Sequence, residues 1–305
     1  MLFSSMQGAV ELGIIYAIMA LGVFLSFRTL NIPDLTVDSS FTLGASVSAM
    51  LTVAGHPYLA LLVAFLVGSI AGSFTALLNT KLKIQPLLAG ILMMLALYSI
   101  NLRVMGNKAN INLLYQETIF SILKDTVFGQ YRVLIISTII LICILLMLYF
   151  FLGTEFGFVL RATGDNPDMV KAYGANTDFT ILIGLALSNG LVALTGALIA
   201  QNQLFADISM GVGMVVIGLA SVIIGEVVFG TKSLLRRLIA VILGAIVYRI
   251  VISFVLELGM PATDLKLISA IIVMLALSMP VINKKFYFYK IRKANAKGGM
   301  TDVES

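Results

Sequence analysis

GTEFGFVLRATGDNPDMVKAYGANTD, residues 153–178, stands between two apolar stretches, 132–152 and 179–200, each long enough to cross a bilayer. A polar segment framed in this way is a loop of a membrane protein with many spans. It also holds a short helix that can be read from its ends. Asn166 is a capping residue whose side chain accepts from free backbone N–H groups, Pro167 fits the first helical position, and Gly174 takes the left-handed stop. A helix of about two turns is marginal alone in water and gains its order from neighbouring protein. The expectation is therefore an exposed rod, Asn166 to Tyr173, with a partner that docks against it.

Composition agrees with that reading. Of 305 residues 60% are hydrophobic and 11% charged, with mean hydropathy +1.05, outside the range of average soluble domains. At roughly 20 apolar residues per span, nine spans are expected: 6–27, 38–55, 58–79, 86–103, 132–152, 179–200, 212–230, 238–258 and 266–283, with eight to ten as the range. The stretch 38–55 is the least apolar. Its serines, threonines and Asp38 suit a broken or buried helix better than a lipid-facing one. The fold class is all-α and polytopic, with a membrane domain at 1–283 and a basic tail at 284–305.

The positive-inside rule sets the orientation. One arrangement places Arg28, Lys81, Lys83, Arg161, Lys171, Lys232, Arg236, Arg237, Lys284, Lys285, Lys290, Arg292, Lys293 and Lys297 in the cytosol, fourteen of the twenty basic residues. The C-terminus is then cytosolic and, with nine spans, the N-terminus lies outside. No basic segment precedes the first span and Glu11 interrupts it, so it is expected to stay in the mature chain rather than be cleaved as a signal peptide. Most of the +5 net charge sits in KKFYFYKIRKANAK, 284–297, where anionic lipid headgroups are the ordinary partner and nucleic acid is not.

Signals for catalysis are missing from the sequence. Cys143 is a lone cysteine, His56 a lone histidine beside Pro57, and neither an HExxH pair nor a GxSxG elbow occurs, so no metal site or hydrolytic centre is expected. GEVVFGTKS, 225–233, imitates a phosphate-binding loop but has Thr231 where the lysine should follow Gly230, and it ends a hydrophobic span instead of joining a strand to a helix. An ATPase driving this chain would be another polypeptide, which would hold the ATP and magnesium. This chain is expected to bind no cofactor.

Charged groups within spans are functional candidates because each costs several kcal/mol unless paired or hydrated. Glu11 and Arg249 fall at similar depth on the external half, and an ion pair stitching the first and eighth spans is the first expectation. The alternative points Arg249 into a translocation path. Glu226 falls near the cytosolic face. Small residues at Gly68 and Gly72, Gly184 with Ser188, and Gly190 with Gly196 suit close helix packing. Gly211 and Gly213 follow an external FADIS and mark a candidate gating or re-entrant element. The external loop at 104–131 holds ETIFSILKDTVF at near-helical spacing, suited to lying on the membrane surface. A weak echo joins Asp34, which opens DLTVDSSFTLGASVSAM, to Asp207, which opens DISMGVGMVVIGLASVI.

GFVLRATGDNPDMVKAYGANTD, the span with SNGLVALTGAL, and DISMGVGMVVIGLASVIIGE come in an order that resembles the permease subunits of binding-protein-dependent ABC importers of the branched-chain amino acid and ribose type. The resemblance covers most of 7–283, strongest in 153–228 and loosest in 104–131. In that family a basic residue, a Gly-x-Asn-like turn, a short helix and a similar stop form the cytosolic loop that meets the ATPase. Arg161, Gly164, Asn166, Ala172, Gly174 and Asn176 occupy those places, with Asp165, Met169 and Tyr173 beside them. One departure is that sugar-type members usually carry an additional N-terminal span and a cytosolic N-terminus, neither of which is expected for this chain.

The resemblance implies a type II importer-like fold in which two copies of this chain, as a homodimer, flank the pathway. Cytosolic ATPase subunits would engage the helix of the loop 153–178, and an extracellular or lipid-anchored solute-binding protein would deliver the cargo near 104–131, 201–211 and 258–265. Amino acids, aromatic or branched-chain, are the leaning, with a sugar or nucleoside as the alternative. A secondary carrier working without ATP is the rival from another class. Its usual signature, acids or histidines along a path, is thin here.

Overall fold

The computed structural model of the chain describes residues 2–122 and 129–259, together with 267–271, 274 and 278. Ten α-helices are found between residues 2 and 259 among the described residues: α1 (Leu2–Val23), α2 (Thr36–Val53), α3 (Pro57–Thr80), α4 (Pro86–Val104), α5 (Arg132–Gly153), α6 (Glu155–Asp165), α7 (Pro167–Ala172), α8 (Thr177–Gln203), α9 (Met214–Phe229) and α10 (Leu234–Glu257). The expected span 266–283 falls largely, and the tail 284–305 wholly, outside the described residues.

Among the described residues, six helical stretches are long and apolar enough to cross a membrane: 6–29, 57–80, 86–104, 129–153, 177–203 and 234–257. Two of the expected spans have another character. The stretch 38–55 becomes α2, whose Thr36, Ser39, Ser40, Thr42, Ser46, Ser48 and Thr52 are all buried inside the protein. With neighbours on all sides α2 needs no lipid-soluble surface, so its hydropathy can be low. The stretch 212–230 becomes α9, which at 16 residues spans about 24 Å and is shorter than the hydrocarbon core.

α1 and α8 form the centre. α2 and α3 pack on α8, α9 and α10 pack on α1, and α1 crosses α8. Each half of the chain therefore grips the first helix of the other half, in an arrangement that gives the Asp34–Asp207 echo a structural counterpart. Both aspartates accept a hydrogen bond from the backbone N–H two residues on, Thr36 at 2.9 Å and Ser209 at 2.8 Å. The correspondence is loose at one point, since α2 begins two residues after its aspartate and α9 begins seven after its own. The expected small-residue faces are used. A Cβ on Gly44 would strike the Ala193 carbonyl and one on Gly196 that of Phe41, so the α2 and α8 backbones touch.

A two-stranded antiparallel pair, β1 (Asn110–Asn112) with β2 (Phe205–Asp207), closes one end of the bundle. The segment expected to lie on the membrane surface behaves otherwise where it is described. Ile119–Ser121 is a 3-10 turn with Ile119 and Phe120 buried in the core, and the Ile119 N–H donates to Gln201 Oε1 at 2.9 Å. Its apolar side finds protein rather than lipid. Residues 123–128 lie outside the description.

Candidate functional site: a capped loop helix and a polar centre

At the end opposite the strands, the loop 153–178 holds two helices. Thr154 caps α6 by accepting from the Gly157 N–H at 3.2 Å, and Asn166 caps α7 by accepting from the Met169 N–H at 3.0 Å. After α7, the Gly174 N–H donates to Lys171 O at 2.9 Å and the Ala175 N–H to Val170 O at 3.3 Å, with Gly174 at φ +83°. This paired closure needs a left-handed residue, which glycine supplies without a Cβ clash. Asn176 then caps α8 through the Phe179 N–H at 3.1 Å. Hydrogen bonds local in sequence thus fix every boundary in the loop.

The loop is anchored below and open above. Val170 is buried, whereas Met169 is 46% and Tyr173 84% exposed, so α7 turns one apolar residue inward and presents an aromatic to the outside. Asp165 ends α6 and Pro167 opens α7. Arg161 lies over the Phe158 ring at 4.5 Å. Phe156 bridges Phe151 of α5 and Phe179 of α8, with ring centres 5.8 and 6.1 Å apart. Gly164 is the tightest joint. A Cβ there would collide with the Thr29 carbonyl, because the end of α6 rests on the π-helical turn Phe24–Thr29 that finishes α1.

A second polar constellation sits at mid-depth, and no pattern in the sequence singled it out beyond the echo. Asn189 lies near the middle of the 27-residue α8. Its Nδ2 donates to Asp34 Oδ2 at 2.6 Å, and its Oδ1 accepts from Ser40 Oγ at 2.7 Å. Asp34 is buried, with Oδ1 held by the Thr36 N–H, so every group in this cluster has a partner. One turn along α2, Asp38 accepts from the Gly213 N–H (2.9 Å, Oδ2) and the Val215 N–H (2.8 Å, Oδ1). The carboxylate thereby caps the head of α9 and complements its dipole.

This arrangement places Gly211 and Gly213. Gly211 lies against the Asp38 carbonyl and Gly213, at φ +87°, starts α9. Since Ser40 and Asp34 bond to Asn189 at the centre of α8, α9 begins within the bundle rather than at its rim, and residues 204–213 descend to it through β2 and a series of tight turns rather than an α-helix. Such backbone is tolerated in a membrane only against protein or water.

The charged candidates part company. Glu11 and Arg249 do not pair. Glu11 accepts from Gln7 Nε2 at 2.9 Å, while the Arg249 guanidinium lies 3.6 Å from the Tyr16 ring centre, with its Nε buried and unpartnered. Depth alone suggested the pair; the direction each side chain takes around its helix separates them, and an aromatic face meets the cation instead. Glu226 does sit in an ion cluster, though with residues outside the expected pair: Arg28 Nε at 2.9 Å and Arg237 Nε at 3.3 Å. It ties α9 to the end of the α1 stretch and to α10. The glycine-rich imitation of a phosphate loop is the end of α9, where a Cβ on Gly225 would strike the Ala240 carbonyl. Among the described residues no group of three or more His, Cys, Asp or Glu gathers to hold a metal ion.

Long apolar helices around a polar mid-depth centre, with a capped rod projecting at one end, define a multi-pass membrane permease. Comparison with known proteins makes the class specific. The family described as branched-chain amino acid transport system / permease component matches residues 5–278, and the chain belongs to it. It is 40% identical over 285 residues, 93% of this chain and 92% of the relative, to the tyrosine transport system permease protein of Clostridioides difficile. It is 37% identical over 274 residues (88% and 95%) to uncharacterized protein RP368 of Rickettsia prowazekii, and 32% identical over 213 residues (65% and 66%) to the probable branched-chain amino acid transport permease protein LivH of Methanocaldococcus jannaschii. No solved structure matches the chain. The protein is a multi-pass component of the plasma membrane.

Proposed function

We propose that this chain is the permease subunit of an ATP-driven importer of amino acids, aromatic ones among them. The single observation that supports the coupling role best is the loop of α6 and α7, capped at every end, open at Met169 and Tyr173, and seated through Gly164 on the end of α1. In this reading α7 enters a cleft on a cytosolic ATPase subunit, which binds the ATP and magnesium. Movement of the ATPases then passes along α6 to the π-helical turn and so to α1. The N-terminus lies outside, the loop 153–178 and the C-terminus lie in the cytosol, and two copies flank the pathway. An external or lipid-anchored binding protein delivers the amino acid at the β1–β2 end. The substrate class is supported by the 40% identity to a permease named for tyrosine transport.

The test is uptake of labelled L-tyrosine and L-leucine into proteoliposomes holding this chain, with and without a cognate ATPase and solute-binding protein. Uptake that requires both partners and ATP is the expected result. Uptake by this chain alone down an ion gradient would overturn the reading in favour of a carrier. Cysteines along 167–173 should cross-link to the ATPase from the cytosolic side.

A further inference from the structure

We propose that the cavity between α2, α4 and residues 208–212 receives the ammonium group of the amino acid, with Asp38 and Asn101 as its acceptors. The inference rests on the amino-acid reading above. The cavity has a volume of about 340 Å³ and is walled by Asp38, Met94, Leu95, Tyr98, Asn101 and Val212 among others. That volume falls in the usual range of small-ligand sites, about 300–1,000 Å³. Its floor is the Asp38 cap of α9, one turn from the mid-depth cluster on Asn189. It therefore lies on the β1–β2 side of the membrane centre.

The polar groups of the wall are biased in one sense. Ser39 Oγ already donates to Met94 O at 3.0 Å, Thr42 Oγ1 to Asp38 O at 3.3 Å, and Ser209 Oγ to Asp207 Oδ1. Asn101 Nδ2 donates to Ser39 O at 3.2 Å, which fixes the amide, since the flipped form would set two acceptors together. Apart from the Tyr98 hydroxyl, which can donate or accept, what is left is acceptor capacity. Asn101 is 1% exposed and its Oδ1 has no partner, an orphan that ordinarily costs about 1–3 kcal/mol. Asp38 is only partly buried and keeps lone pairs beyond those taken by Gly213 and Val215.

A buried acceptor beside a carboxylate favours a cation with several N–H donors, and an ammonium has three. Leu95 and Val212 offer hydrocarbon to a side chain, and Met94 adds a flexible apolar thioether. Because Asp38 already occupies the head of α9, the site is unsuited to the ligand's carboxylate. The amine is the end it reads.

Replacing Cys143 by Ser and Leu95 by Cys leaves a single thiol on the cavity wall of the full chain, in vesicles carrying the whole importer. A cationic methanethiosulfonate should modify it about tenfold or more faster than an anionic one, the enrichment a focused negative site gives. Asp38→Asn should bring the ratio near one, whereas Asn101→Leu, which leaves the α9 cap and the charge alone, should keep a ratio above one and abolish protection by the amino acid. L-Tyrosine or L-leucine should slow labelling, and 3-(4-hydroxyphenyl)propionate, which lacks the amine, should not. Equal rates for the two reagents, or equal protection by the amine-free acid, would overturn the site; tyrosine uptake persisting in the same vesicles would show that the importer reading survives it. A cation preference with no protection by any amino acid would overturn the proposal through its substrate class.

Discussion

Asn189 is the residue on which the interior depends. It joins Asp34, Ser40 and the Leu185 carbonyl within one side chain, in the most buried helix of the second half. Asn189→Ala would leave the Asp34 carboxyl without its side-chain donor in a dry setting, at a cost of about 2–3 kcal/mol. A lower thermal midpoint of the purified protein in detergent is expected, with Ser40→Ala milder because it removes only a donor to the same amide. If Asn189→Ala melted with the parent, the cluster would be incidental. Beyond the echo at Asp34 none of this was legible beforehand, because a hydropathy reading treats a polar residue in an apolar run as noise. Its partners lie 149 and 155 residues away. Arg249 teaches the same lesson from the other side, since its depth was readable and its aromatic partner was not.

At the scale of elements, the legible parts were those built from local bonds. Asn166, Pro167 and Gly174 marked α7 because capping involves residues only a few positions apart, and Gly164 appeared in its place without its reason, a contact with Thr29 far along the chain. Asn166→Ala should loosen α7 by about 1 kcal/mol. The measurement is ATPase hydrolysis coupled to transport at graded ATPase concentration, where roughly a fivefold weaker apparent affinity is expected. Asn176→Ala makes the contrast. It removes the equivalent bond from α8, a 27-residue helix held by its own packing, and should leave the affinity nearly unchanged. Equal effects of the two would dissociate the α7 cap from docking. Burial of α2 was legible in its own serines, threonines and Asp38, and α9 was the element least well read. The low starting point of α9 comes from Asp38, which no window of neighbouring residues contains.

Across the whole molecule, Glu226 closes the bundle where the α1 stretch, α9 and α10 meet. Glu226→Gln should strand two guanidinium groups and lower uptake more than it lowers the amount of assembled complex. The double exchange Arg28→Glu with Glu226→Arg should restore part of that uptake. Immunoblotting of the complex beside transport assays reads both. No recovery in the exchanged pair would mean that the cluster acts through something besides charge.

The crossed grip of the two halves bears on how the chain is born. α1 is made well before most of what covers it, since α8, α9 and α10 begin only at Thr177, Met214 and Leu234. That helix must wait in the lipid, half clothed, until those later helices arrive, and an insertase that shelters it during the interval becomes part of the molecule's assembly.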